Sequence, residues 1–560
     1  MQNEVSFINI LSIKKVSFTD LILVFSLIAV GGFNEWVSAI VSVALLAYLL
    51  YKGIEQKNIK FGKSILALTV ALISISYFVT AFWAVDAGMA IIGGIKFLPL
   101  ALFFIAIKQE EQDKNNTFQI LILTTAVMVV VSAICSLIPQ ISQHFTVADR
   151  LAGFFQYPNA FAMLVLICEL LVLQKEKINA IDIVYLAIFL FGIIYSGSRI
   201  VFVLFILSNI AILWLKSNKK FRIIFLLSVV ALLLIAFIFF RDNAIIQRFF
   251  RISVLESTFV GRILYWYDAL PLLLKHPFGM GYLGYNYIHP TIQSGLYTVR
   301  FVHNDFLQLF LDIGWIPALA LIFVICKKVF SKKNDINTKI ILLTFSAHIF
   351  FDFDLQFLSM FLILILLLDD EEQKVKTIKA SALFGVVVVA VLMINAYMAT
   401  HLILAHFNLN KQASKLYAWN TENHIAILEK ETEISNATEV ANKIWSQNDV
   451  SFIPYVIKAK AAYANGNFNS VMVYSRRVLE LNPFEQRYYE EYAIMLINGI
   501  EKYRAANDDK SVEYCKKELV AVDKQLKQNQ SKLSSLGKAI KDQPNIEFSE
   551  YVSEYIKSLG

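Results

Sequence analysis

The segment Arg300-Phe-Val-His303-Asn304-Asp305-Phe-Leu-Gln308-Leu-Phe-Leu-Asp312 runs directly into an apolar stretch that continues to residue 326. Asn304, Gln308 and Asp312 recur every four residues, so they line one face of a helix whose other faces are apolar. Polar groups on such a helix turn toward a bundle interior or a wet cavity. His303 stands just above this stripe, and an imidazole titrates near neutral pH, as a general base must. The same position suits an interfacial or capping histidine, so the chemical reading depends on partners.

Arginines supply candidate partners. Arg150 lies in Arg150-Leu-Ala-Gly-Phe-Phe-Gln-Tyr-Pro-Asn159, and Arg199 ends Ser196-Gly-Ser-Arg199, where one apolar run gives way to the next. A guanidinium at that boundary stays charged and presents a fork of donors matched to phosphate oxygens. It serves equally well as an anchor whose stem snorkels. Arg262 opens a stretch, 260–277, in which Ile263, Leu264, Leu270, Leu273 and Leu274 recur at helical spacing. That pattern predicts an amphipathic helix lying on a membrane. Free N–H groups near its start would add to phosphate attraction, while Arg262 and Arg251 also suit anionic lipid headgroups.

Next come Gly279, Gly281 and Gly284 among Tyr282, Tyr285 and Tyr287. Aromatic faces of this kind suit sugar rings, and they suit a membrane interface as well. Further along, His348 and Asp352 are spaced i to i+4 with Asp354 beyond, so a carboxylate is expected to orient an imidazole there. Two adjacent ligands are too few for a metal site, and none is expected.

The elements that carry these residues follow from composition. The chain has 560 residues, 57% hydrophobic and 17% charged, against roughly 45–50% and about 25% in soluble proteins. Apolar runs fill residues 20–398, whereas 400–560 are water-soluble in character. About thirteen runs approach the length of a bilayer span: 19–33, 35–51, 64–84, 88–107, 117–138, 158–174, 181–195, 199–215, 221–240, 304–326, 339–351, 354–369 and 379–399. The first is read as a membrane helix rather than a cleaved leader. Cys135, Cys168, Cys326 and Cys515 are too scattered for a disulfide framework or CxxC site. The net charge of +7 forms no basic stripe of the kind that binds nucleic acid.

Lysines gather in alternate loops: Lys14/Lys15, Lys52 to Lys63, Lys108/Lys114, Lys175/Lys177, Lys216 to Arg222, Lys327 to Lys339 and Lys374 to Lys379. Short cytoplasmic loops are enriched in Lys and Arg, so this side and the N-terminus are expected to be cytoplasmic. The loops 139–157 and 241–303 and the tail 400–560 then fall outside. No P-loop or dinucleotide fingerprint is present, and outside chemistry needs a donor that already carries its energy, such as a lipid-linked diphosphate sugar. The fold expected is an all-α polytopic helix bundle over 1–400 with a helical tail over 401–560.

Within the tail, 452–500 shows a small-residue helix face, Gly466 after one helix and Pro483 after the next, resembling a tetratricopeptide repeat or a generic helical hairpin. Residues 501–543 predict a long amphipathic helix through Tyr514, Leu519, Val522, Leu526 and Leu533, which packs on the repeats or takes a protein partner. Lys96 and Glu169 lie inside apolar runs and are the features that favour an alternative, a polytopic transporter or flippase of a polysaccharide precursor.

Residues 139–369 resemble the O-antigen ligase/Wzy superfamily of bacterial membrane glycan ligases and polymerases. The matching pieces, in order, are Arg150 with Gly153 and Pro158-Asn159; Ser198-Arg199; Gly261-Arg262; His276-Pro277 with Gly279 and Gly281; His303-Asn304; and His348 with Asp352. The resemblance implies an inverting, metal-independent glycosyltransferase without cofactor. It would move a glycan from undecaprenyl diphosphate to an acceptor hydroxyl outside the cytoplasmic membrane. It assigns Arg199 and Arg262 to the donor diphosphate and His303 to the acceptor hydroxyl. Arg150, Arg300, Asn304, Tyr282 and Tyr285 are expected substrate contacts, with His348 and Asp352 in support.

Overall fold

The computed structural model describes residues 15–110, 113–175, 177–216, 257–370, 374–541 and 543–559. The expected span 221–240, Arg251 and the first part of the external loop lie outside them. In the first half, α1 (Phe18–Ile28), α2 (Glu35–Gln56), α3 (Ile65–Val79), α4 (Ala87–Ile107) and α5 (Lys114–Ser136) are followed by α6 (Pro158–Leu173), α7 (Ala180–Ser196) and α8 (Arg199–Lys216). The external loop contributes α9 (Ser257–Lys275) and α10 (Gly284–Ile292). The bundle closes with α11 (Asp305–Ile313), α12 (Trp315–Phe330), α13 (Ile336–Phe351), α14 (Leu358–Leu368) and α15 (Ala382–His406).

Five of these helices, α2 to α5 and α15, are long and apolar enough to cross a membrane, and six others are shorter apolar helices. Leu68, Leu383, Val386 and Met393 point outward, as suits side chains solvated by lipid rather than water. The interior is equally apolar: α6 is buried from Ala160 to Val172 and α14 throughout. A helix apolar on every face belongs at the centre of a bundle.

The connections sort to two ends. At one end, Glu110 accepts from the Phe18 amide at 2.9 Å, Lys108 meets Asp369 at 2.7 Å, and the Lys114 ammonium donates to the Asp369 carbonyl at 2.8 Å. Lys328 pairs there with Asp370. Two lysine-rich loops at this end form an antiparallel ribbon, β1 (Asn58–Gly62) with a strand at Val375–Lys379, in register from Asn58↔Lys379 to Gly62↔Val375. A purely helical fold was expected from the sequence. Pairing across some three hundred residues leaves no local signal, and each strand alone reads as a short loop.

At the other end, α11 and α12 replace the single span expected over 304–326. The break is Gly314, at φ +85°; a Cβ there would stand 2.6 Å from the Pro277 carbonyl oxygen. Facing it, a Cβ on Gly279 would stand 2.4 Å from the Asp312 oxygen. The two backbones therefore touch, and the Trp315 amide donates to Pro277 at 3.0 Å. The expected surface helix is α9. It buries Leu264, Ala269 and Leu272 against the loop while Tyr267, Leu270 and Leu274 remain exposed.

The tail folds into helices α16 (Asn410–Leu416), α17 (Thr421–Leu428), α18 (Ile434–Gln447), α19 (Ile453–Ala464), α20 (Phe468–Leu481), α21 (Gln486–Ala505), α22 (Asp509–Lys532), α23 (Ser535–Ala539) and α24 (Glu550–Lys557). The expected hairpin is α19 and α20, turned at Gly466 with φ +69°. The expected amphipathic helix is α22, which buries Val512, Cys515, Leu519, Val522 and Leu526. The tail grips the bundle at two places. Asp86 accepts from Thr421 at 2.5 Å and Asn448 at 3.3 Å, and a Cβ on Gly88 would lie 1.8 Å from the Trp419 oxygen. On the far side, the Ser534 amide donates to the Ser294 carbonyl at 2.9 Å, and Ile540 packs with Val260, Leu264 and Tyr297.

Candidate active site

The site lies at the end away from the lysine ribbon, where the loop before α11, the start of α9 and the turn after α13 converge. His303 has a left-handed backbone, φ +53°, a conformation that costs a non-glycine residue about 1 kcal/mol or more. Its surroundings enforce it. The Val302 amide donates to Gln308 Oε1 at 2.9 Å, and Trp266 Nε1 donates to the Val302 and His303 carbonyls at 3.1 and 3.3 Å. Asn304 caps α11 by accepting from the Leu307 amide at 3.0 Å.

The polar stripe is real and inward. Gln308 Nε2 donates to Asp312 Oδ1 at 2.8 Å, and Tyr77 donates to Asp312 Oδ2 at 3.1 Å. All of these groups are buried.

Asp352 is the hub. It lies in the turn between α13 and α14, fully buried, with extended backbone at φ −145°, ψ −173°. Its Oδ1 accepts from Tyr157 at 2.7 Å and from the Phe353 amide at 3.0 Å. Its Oδ2 accepts from Asn159 at 2.8 Å and Arg262 Nη2 at 3.0 Å. His303 Nδ1 approaches Oδ1 at 3.4 Å, an electrostatic contact longer than an ordinary hydrogen bond. Burial alone would raise this carboxyl's pKa, but Arg262 and His303 hold it below the usual carboxylate range.

The sequence paired Asp352 with His348, and the structure corrects that pairing. Helix α13 ends at Phe351, so Asp352 leaves the helical path and the i to i+4 relation no longer applies. His348 Nδ1 instead meets Asp354 Oδ2 at 2.5 Å. His348 Nε2, Asp354 Oδ1 and Asp305 Oδ1 are buried with no hydrogen-bond partner among the described residues. Asp305 joins this layer by accepting from the Leu355 amide at 2.8 Å.

The arginines divide. Arg150 donates to the Ser196 carbonyl at 2.7 Å and to Asn159 Oδ1 at 2.6 Å, so it braces the residue that braces Asp352. Arg199, at the first turn of α8, donates to Thr258 Oγ1 at 3.1 Å. Thr258 and Arg262 are four residues apart on α9, about 6 Å along the axis. Arg199 therefore touches α9 one turn before Arg262, and Arg262 shares Asp352 with His303. The His303 side chain keeps 22% of its surface exposed and that of Arg262 keeps 14%.

Residues 184–323 match the O-antigen ligase family. No curated protein matches the chain. The ligase-like segment holds Arg199, Arg262, Arg300 and His303 and stops short of Asp352, which reaches the site from the next helix pair.

The remaining sequence candidates lie in an adjoining network. Arg300 approaches Glu35 at 3.4 Å and Glu422 of the tail at 3.7 Å. Tyr282 donates to Glu35 at 2.6 Å and accepts from Lys96 at 3.1 Å. Tyr287 donates to Glu422 at 2.7 Å. Lys96 also donates to the Phe33 carbonyl at 2.9 Å. Tyr282 and Tyr285 are both buried, so their rings pack against protein and present no open face to a sugar. Tyr285 belongs to a stack in which His289 stands 5.7 Å from it and 5.6 Å from Tyr297.

Sequence reasoning passed over Tyr157, Thr258, Trp266 and the tail's Glu422. Asn159 stands in the stretch that opens with Arg150, yet only folding reveals its carboxylate partner, Asp352.

Proposed function

We propose that this protein is a membrane glycosyltransferase that moves a glycan from a polyprenyl diphosphate donor to an acceptor hydroxyl at the outer face of the bacterial cytoplasmic membrane. The observation that carries the reading is the meeting of His303, Asp352 and Arg262 at the end opposite the lysine-rich loops, with Arg199 bonded to Thr258 on the preceding turn of α9. Asp352 takes the Nδ1–H side of the His303 imidazole, which leaves Nε2 to accept the proton of the acceptor hydroxyl. The freed oxygen attacks the anomeric carbon while the bond to the diphosphate breaks, so one displacement inverts that centre. Negative charge grows on the leaving diphosphate, and Arg199 and Arg262 stabilise it without a metal. The ligase-like match over 184–323 supports this chemistry without distinguishing a ligase from a polymerase.

In this reading the lysine-rich end is cytoplasmic, and the tail, whose hairpins are tetratricopeptide-like, lies outside, where it contacts a protein partner or the acceptor. The alternative, a transporter or flippase, draws on Glu169, a buried carboxyl whose described partner is Asn209 at 3.4 Å. The discriminating experiment incubates the purified full chain with a polyprenyl diphosphate-linked glycan and an acceptor glycan. Release of polyprenyl diphosphate that depends on His303, Arg262 and Arg199 supports the glycosyltransferase. Translocation of intact donor without bond cleavage rejects it.

A further inference from the structure

The ribbon of β1 and its partner strand, β2 (Val375–Lys379), has no role in the site. Its hydrogen bonding extends past both ends, with the Lys63 amide donating to Lys374 at 2.7 Å and the Ala380 amide to Lys57 at 2.9 Å. It therefore gathers Lys57, Lys60 and Lys63 from one loop and Lys374, Lys376 and Lys379 from another onto one narrow structure. All six are exposed, and none forms an ion pair with a described residue.

Three described acids nearby are engaged elsewhere. Glu55 meets Lys52 at 2.7 Å, Asp369 is held by Lys108 and Asp370 by Lys328. The ribbon is also not held away from the bilayer. It begins two residues after α2 ends, α3 starts three residues after β1, and α15 starts three residues after β2, and each of those helices is long and apolar enough to span a membrane. Every residue of β2 is exposed, including Val375 and Ile378, and Ile54 and Tyr51 on the last turns of α2 are exposed beside it.

Ammonium groups with no ion pair among the described residues, at headgroup height and interleaved with exposed apolar side chains, match an anionic lipid surface: the lysines meet phosphates while the apolar groups enter the upper acyl region. A two-stranded ribbon also has open edges, which lysine protects from pairing with other strands. That accounts for some lysine. It does not account for six exposed lysines without an ion pair among the described residues, beside Val375 and Ile378.

We propose that the β1–β2 ribbon is a binding site for anionic phospholipid headgroups in the leaflet on its side of the bundle. Helices α2, α3 and α15 fix its height and the cross-strand register sets the lysine spacing. Because the site lies at the end opposite His303, it stands or falls independently of the glycosyltransferase reading.

The test uses the full chain reconstituted in phosphatidylcholine vesicles containing spin-labelled phosphatidylglycerol or spin-labelled phosphatidylcholine, with the motionally restricted fraction read by electron spin resonance. The wild type is expected to restrict phosphatidylglycerol over phosphatidylcholine by about fivefold, the ratio that one lysine–headgroup contact yields. Substituting Lys57, Lys60, Lys63, Lys374, Lys376 and Lys379 together with Gln is expected to bring the ratio near one, and the same six changes to Arg are expected to keep it. Should the Gln variant not fold, raising the wild type to about 0.5 M salt is expected to lower the ratio, because screening shortens the reach of exposed charges. An undiminished ratio in the folded Gln variant, no salt effect, or no preference in the wild type overturns the proposal. So does retention of an acidic cytosolic protein by the wild type in place of lipid selectivity.

Discussion

Replacing Asp352 with Asn removes one charge and almost no volume, and so separates the electrostatic role of this residue from its packing. The imidazole of His303 stands 3.4 Å from Oδ1, and Coulomb's law at an effective dielectric of about 20 gives roughly 5 kcal/mol for a full charge pair at that distance. Solvent reaching His303 reduces the figure, so about 3–5 kcal/mol of stabilisation of the protonated base is at stake. That corresponds to a fall in kcat of about 10²–10⁴-fold. Donor affinity should change far less, because Arg199 and the other donors of Arg262 remain. The assay is single-turnover transfer by purified full chain from a polyprenyl diphosphate-linked glycan, at saturating donor, with kcat and KM measured separately. Buried donors from Tyr157, Asn159 and Arg262 would then face an amide, so the folded state of the variant is checked by its gel-filtration profile and thermal unfolding. A correctly folded Asp352→Asn protein with kcat within about threefold of wild type would refute the orienting role of Asp352.

Gly314→Ala should lower stability by more than about 2 kcal/mol, since its φ of +85° and the 2.6 Å approach to the Pro277 oxygen leave no room for a methyl; an unchanged Tm contradicts the contact. Thr421→Val removes the 2.5 Å donor to buried Asp86 and should cost about 1–3 kcal/mol, read as earlier thermal unfolding and as faster proteolytic release of the tail; equal proteolysis contradicts the docking. Burial lowers the His289 pKa to about 4, so this histidine is neutral in the fold while the unfolded chain takes up a proton below about 6.5. Its contribution is therefore intact above that pH and declines by up to about 3 kcal/mol as pH falls toward 4. His289→Phe should flatten the acid dependence of Tm across that window, and parallel curves for the two proteins contradict it.

The sequence made some of this legible because the relevant signals are local. Hydropathy marks apolar helices one at a time, and lysine in alternate loops sorts their ends, so the gathering of Lys108, Lys114 and Lys328 around Asp369 and Asp370 follows from reading the loops. The four-residue spacing of Asn304, Gln308 and Asp312 likewise foretells a buried polar face, because all three residues lie within one helix and its cap. Where an inference crosses a helix end, it fails: His348 and Asp352 have helical spacing, yet the helix stops between them and each finds a different partner. The contact between His303 and Asp352 joins two helix pairs, and no spacing encodes it. Tyr282 illustrates a further limit, since an aromatic beside glycines reads the same whether its face meets a sugar or, as here, its hydroxyl is buried between Glu35 and Lys96.

The central claim is that His303, held by Asp352, takes a proton from an acceptor hydroxyl while a lipid diphosphate leaves. Its most direct test compares wild type with His303→Ala, both as full chains in the same vesicles, with donor binding and release of free polyprenyl diphosphate followed in one reaction. The wild type should release polyprenyl diphosphate in step with glycan added to the acceptor, whereas His303→Ala should bind the donor and release almost none. Equal release by both proteins, or binding by both with no release by either, contradicts the account.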